Sequence, residues 1–304
     1  MPRIFTSASA AVVLSLLTSC GGDSRALPLP ATAQAGTAQN ELASQTRQRT
    51  ESYREAARKY FRKHRKKHWR TAAPISSLTS TSRIQDAPEG ATTDSVFMRA
   101  VTPEQVDWNR IPQITSDALN AAFRLARDSR DLRIPDQPEF SRRLSWLYPD
   151  DGCFSRATLA MQKIKTQGLP EPLKVFIFGD LETKTPNAPG GAVIWWYHVV
   201  PAYRLSGQSG VDAVRVLDPA IQGAGPLSLK DWALAQTTDL TAVNFSICQP
   251  GTYEPGDSCD APDELATSSA VEDESQFLEL EWSRQFELGR DPHVILGDAP
   301  PWSS

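Results

Sequence analysis

Between Cys153 and Pro219 the chain reads as one apolar helix followed by three apolar strands, and no other stretch constrains the molecule as strongly. The helix is CFSRATLAMQKIKTQG, with Ala157, Leu159, Ala160, Met161 and Ile164 supplying a buried side and Gly168 standing where a helix stops. The strands are LKVFIFGD (173–180), GAVIWWYHVVPAY (191–203) and AVRVLDP (213–219). Extended backbone puts Ile194, Trp196, His198 and Val200 on one face, and Val214, Val216 and Asp218 on another. Three polar residues stand out on these elements. Cys153 opens the helix, where unpaired N–H groups and the dipole favour a thiolate. His198 lies among aromatics, where an imidazole without a partner is costly. Asp218 closes the third strand. Each has a plain structural explanation: a buried thiol, a satisfied core histidine, a turn residue before Pro219. Together they are the parts of a Cys–His–Asp triad, in which cysteine attacks, histidine carries the proton and aspartate orients the imidazole. His293 is a rival base, but the surrounding Arg290-Asp291-Pro292 reads as a terminal loop.

Composition narrows the class. The 304 residues are 40% apolar, with eight tryptophans and eleven phenylalanines, which argues for a buried core rather than disorder. Four separated cysteines without a CxxC pair, and four scattered histidines, speak against a zinc finger or iron–sulfur cluster, so no metal or cofactor is expected. The formal charge of −4 hides an asymmetry: residues 47–70 hold eleven Lys or Arg against Glu51 and Glu55, a local net of +9, leaving −13 for the rest. Tyr53, Ala57, Tyr60, His64 and His68 follow helical spacing there. This basic helix reads as a solvated spacer, as a lipid-surface contact or as a pro-segment docked on the acidic body. Nucleic acid is not expected as a partner, because nothing else in the chain reads bases. His64 and His68 are spaced like metal ligands, but the surrounding cations oppose a metal ion.

The first residues read as an export signal: Arg3, a mostly apolar stretch from Ala8 to Leu17, then small residues. That stretch is shorter than the ~18–20 residues of a membrane span. Leu17-Thr18-Ser19-Cys20 resembles a bacterial lipoprotein signal, which implies lipidation at Cys20 and anchoring at the bacterial envelope. The expected layout is a signal over 1–19, a tether over 20–46, the basic helix and a Ser/Thr/Pro-rich linker over 47–100, a catalytic domain over 101–260 and an acidic C-terminal extension over 261–304. Leu119, Ala122, Phe123 and Ala126 mark a further helix over Ser116 to Arg130. In the extension, Phe277, Leu280 and Trp282 either pack a short helix on the body or dock the basic segment. Cys248 and Cys259 share a Pro/Gly-rich loop and, in an exported chain, are expected to form a disulfide, leaving Cys153 as the unpaired thiol of the mature body. Asp150 and Asp151 are expected to cap the Cys153 helix.

Four blocks resemble the bacterial protein-glutaminases (protein-glutamine deamidases): YPDDGCFSRA, FIFGDL, WWYHV and RVLDPAIQGAGPLSLKDW, in that order. The stretch from about Ile114 to Ser129 looks like that family's lead-in. The resemblance implies an α+β fold with a transglutaminase/papain-like core, the nucleophilic cysteine at a helix N-terminus packed on an antiparallel sheet. It implies Cys153 as nucleophile, His198 as acid/base and Asp218 as orienting acid, acting without a cofactor on glutamine-containing proteins or peptides. It also implies export and an inhibitory pro-region. The oxyanion needs the Cys153 N–H and a second donor, for which Trp195 and Trp196 are candidates that serve equally as wall packing. The same triad also suits a transglutaminase-like acyl transferase or a papain-like cysteine peptidase. An inactive envelope-associated binding lipoprotein is the alternative of a different class.

Overall fold

The computed structural model describes residues 91–134, 137–260, 266–297 and 301–302. The signal, Cys20, the tether and the basic helix lie outside the described residues. In chain order the first elements are β1 (Gln113–Ile114), α1 (Ser116–Asp128), β2 (Leu132–Ile134) and β3 (Gln137–Arg142). Then come α2 (Cys153–Thr166), β4 (Leu173–Lys184), β5 (Ala192–Leu205), β6 (Val214–Val216) and β7 (Leu227–Ser228). The chain continues through α3 (Leu229–Leu234), β8 (Asn244–Cys248), α4 (Ala266–Glu287) and α5 (Pro292–Ile295).

The strands pair in the order β7-β6-β5-β4-β8, every pair antiparallel, with β1 added parallel to β5. The central hairpin runs from Leu173 opposite Ala202 to Lys184 opposite Ala192. Alternation along it feeds two cores. Phe176, Phe178, Val199 and Tyr203 meet Ala157, Ala160 and Ile164 of α2, and Leu119, Phe123 and Ala126 of α1. Val175, Ile177, Val200, Ala202, Val214 and Val216 meet Leu229 and Trp232 of α3. Each fully buried Val, Ile or Phe contributes about 1.5–3 kcal/mol. The fold is α+β, with the cysteine-bearing helix packed on an antiparallel sheet.

Helix α1 starts at Thr115, whose hydroxyl accepts from the Ala118 N–H, and buries the four residues that its periodicity singles out. Helix α2 starts differently. Its N-cap is Gly152 at φ +82°, with no side-chain cap bond, so neither Asp150 nor Asp151 caps it. Asp150 is drawn away by Arg284, and the Asp151 carboxylate accepts from the Gly152 N–H instead. A glycine is required at 152, because a Cβ there would stand 2.7 Å from the Phe277 ring, in a backbone region that L-residues avoid.

The expected face of β5 is also corrected. Pairing slips between Phe178 and Leu181, which sit opposite Tyr197 and Trp195 respectively. The slip breaks the two-residue period. Trp196 and Tyr197 both contact Phe178, whereas His198 is the partner of Ile177 and stacks on Trp195 three residues back, with ring centroids 4.7 Å apart.

The acidic C-terminal stretch forms a 22-residue helix, α4, packed against α2. Phe277 covers the start of α2 and meets Tyr148 and Phe154. Leu280 packs against the same core, and Trp282 packs on Phe140 and His293. The Cys248–Cys259 disulfide is formed, and its loop reaches back to residues 94–97.

Candidate active site

Cys153 is the first residue of α2, and the first intrahelical bond runs from the Arg156 N–H to the Gly152 carbonyl. The N–H of Cys153 therefore belongs to the unpaired first turn. The thiol is buried and, among the described residues, is the one free cysteine. Two side chains of β5 reach it. His198 and Tyr197 both lie close enough for the Cys153 sulfur to raise their pKa values. His198 Nε2 pairs with Asp218 Oδ2 at 2.8 Å. Nδ1 is buried and meets no hydrogen-bond partner among the described residues.

Asp218 sits two residues beyond β6, where its Oδ1 accepts from the Ala220 N–H at 3.1 Å. Its Oδ2 also accepts from the Trp232 indole of α3 at 2.8 Å. Burial pushes this carboxyl up, but the His198 charge and the bonds from His198 and Trp232 outweigh burial and hold it below the usual range. Burial pulls His198 down. The Asp218 charge and bond, then Cys153, reverse this and raise it to about 9. A proton is thus held on the imidazole, between Asp218 and the Cys153 sulfur. Tyr197 is pushed well above its ordinary value, first by burial and then by the Cys153 charge.

Trp195 stacks flat on the His198 ring, 10° from parallel, and its indole N–H is spent on the Pro149 carbonyl at 3.0 Å. It forms a wall of the imidazole and offers no indole donor to an oxyanion. Trp196 packs edge-on to Phe97 and Tyr197. A crevice lined by Trp146, Arg156, Pro201 and Leu217 runs along Cys153, His198 and Asp218. His293 lies exposed on α5, its ring against Trp282 and Phe140. No cluster of three or more His, Cys, Asp or Glu among the described residues is arranged to hold a metal ion.

Three residues at this site escaped the sequence. Two of them are Tyr197 of β5 and Trp232 of α3. Arg156 is the third: a buried arginine whose guanidinium ties the carbonyls of Tyr148 and Asp151 ahead of the cysteine.

A family model described as a glutaminase matches residues 119–236. That stretch, less than half of the chain, contains Cys153, His198, Asp218 and Trp232. Among solved structures, the chain is 23% identical to a protein-glutaminase, covering 55% of this chain and 89% of the other at a TM-score of 0.39. It is 22% identical to the protein-glutaminase of Chryseobacterium proteolyticum, covering 53% and 84% at 0.40. It is 23% identical to a pro-protein-glutaminase, covering 54% and 58% at 0.39. No curated protein matches the chain.

Proposed function

We propose that this chain is a protein-glutamine deamidase, converting glutamine side chains of proteins or peptides to glutamate and ammonia. The observation that carries the reading is the buried His198–Asp218 pair beside the Cys153 sulfur, within a stretch that matches a glutaminase family. The Cys153 sulfur, its proton held by His198, attacks the carboxamide carbon. The carbonyl oxygen takes up the electron pair, with the Cys153 N–H as its first donor. His198 then protonates the nitrogen, the C–N bond breaks and ammonia leaves a thioester. Water, deprotonated by His198, attacks the thioester, and the C–S bond breaks to give glutamate and the restored thiol. Asp218 keeps the imidazole in register. Trp195 fixes the plane of its ring, and Tyr197 donates its O–H to the developing thiolate.

Export and lipid anchoring at Cys20 belong to the same proposal. The Cys248–Cys259 disulfide supports an oxidising compartment. The pro-segment reading of residues 47–100 is part of it too, tested by the rise in activity expected on removing residues 21–100. Ammonia release from a glutamine-rich protein, with the substrate mass read alongside, tests the activity. Deamidation without cross-links or chain cleavage supports it. Cross-links would move the assignment to an acyl transferase, and shortened chains to a peptidase. An inert protein would make it a binding lipoprotein.

A further inference from the structure

Helix α4 lies beyond the stretch that matches the glutaminase family, yet its buried face is charged. We propose that Glu274 of this helix is a positioning residue for Cys153, setting the first turn of α2 and the loop before it. The proposal rests on the deamidase reading for its kinetic readout, and on geometry for the rest. Glu274 is fully buried. Its Oε1 accepts from the Ser145 N–H at 2.6 Å, and its Oε2 lies 2.9 Å from Ser155 Oγ. Ser155 Oγ in turn lies 3.0 Å from the carbonyl of Gly152, the residue joined to Cys153. One glutamate thus ties both ends of the loop 145–152, Ser145 directly and Gly152 through Ser155.

The hydrogen count is informative. Ser155 has one proton and two acceptors, Gly152 O and Glu274 Oε2. A neutral Glu274 carboxyl resolves this: it donates to Ser155, which donates to Gly152, while Oε1 still accepts from Ser145. Burial raises Glu274 to about 7, with Arg156 the largest opposing charge; Arg142 and Tyr253 also face it. A glutamine would make the same two bonds, to the Ser145 N–H and the Ser155 hydroxyl, and an alanine neither. The rest of the helix reinforces the placement. Glu281 accepts from the Leu147 N–H at 2.8 Å, and Arg284 donates to Asp150 at 3.0 Å.

The test uses the full chain as wild type, Glu274→Gln, Glu274→Ala and Ser155→Ala. It reads the iodoacetamide alkylation rate of the Cys153 peptide by mass, kcat and KM for ammonia release, and Tm. Glu274→Gln is expected to stay within about threefold of wild type in alkylation and kcat. Glu274→Ala and Ser155→Ala are expected to lose about tenfold or more in both, with KM nearly unchanged. Wild-type alkylation in a folded Glu274→Ala or Ser155→Ala overturns the proposal, as does a loss in Glu274→Gln equal to that in Glu274→Ala. If Glu274→Ala does not fold, Ser155→Ala against Glu274→Gln decides. If the wild type releases no ammonia, the deamidase reading fails while the alkylation rates still decide this one.

Discussion

At the scale of single residues, the arrangement turns on how His198 is charged. Its raised pKa comes from Asp218, whose own charge is secured by the Trp232 indole. The departing ammonia needs the imidazolium, so kcat is expected to fall as pH rises through about 9. Asp218→Asn removes the main raising influence and leaves burial opposed by Cys153 alone. The alkaline limb should then move to lower pH, with kcat reduced about 10²–10⁴-fold; a pH–rate profile of the folded variant checks both. Stability follows the same sign. The folded pKa of His198 lies above its unfolded value, so the His198–Asp218 pair contributes fully below about pH 6.5 and is lost as pH rises through about 9. Wild-type Tm should decline across that window more than the Tm of Asp218→Asn. Cys153, His198 and Asp218 were legible in the sequence because each is a polar exception on an otherwise apolar element. Tyr197 and Trp232 were not, since aromatic residues on buried elements are what packing alone would place there.

At the scale of elements, the start of α2 depends on backbone shape rather than on a capping side chain. Gly152→Ala must hold a left-handed conformation, at about 1–2 kcal/mol, and drives its Cβ into the Phe277 ring. A Tm lowered by about 4–8 °C is expected, part of it recovered in Gly152→Ala/Phe277→Leu, where the ring is gone. Calorimetry of the two variants distinguishes strain from clash. Reducing the Cys248–Cys259 bridge opens a short loop beside β8 and should cost about 2–4 kcal/mol, read by denaturant titration with and without reductant. Helix and strand identities were legible from hydrophobic period. The slip in the pairing of β4 with β5 was not, because strict alternation is the assumption by which a strand is read. That slip lets Trp195 stack on His198 and turns Trp196 toward the other core.

At the scale of the whole molecule, the acidic C-terminal helix is built into the body. Its buried positions Glu274, Glu281 and Arg284 repeat at helical spacing where an amphipathic pattern would carry apolar residues, so the sequence left open whether the extension packs on the body or docks the basic segment. Glu281 pairs with Arg142, and both are almost fully buried. Glu281→Ala strands the arginine and is expected to destabilise by about 3–5 kcal/mol, while Arg142→Leu/Glu281→Leu should cost far less; denaturant midpoints compare them. The central claim is that Cys153, worked by His198, hydrolyses glutamine side chains. Its most direct test is ammonia release from a glutamine-rich protein by the wild type and by Cys153→Ala, with intact mass of the substrate recorded. The account predicts ammonia matched one for one by glutamine-to-glutamate conversion, without cross-links or cleavage, falling at least about 10⁴-fold in Cys153→Ala. Deamidation that persists in a folded Cys153→Ala, or a wild type that releases none, would contradict it.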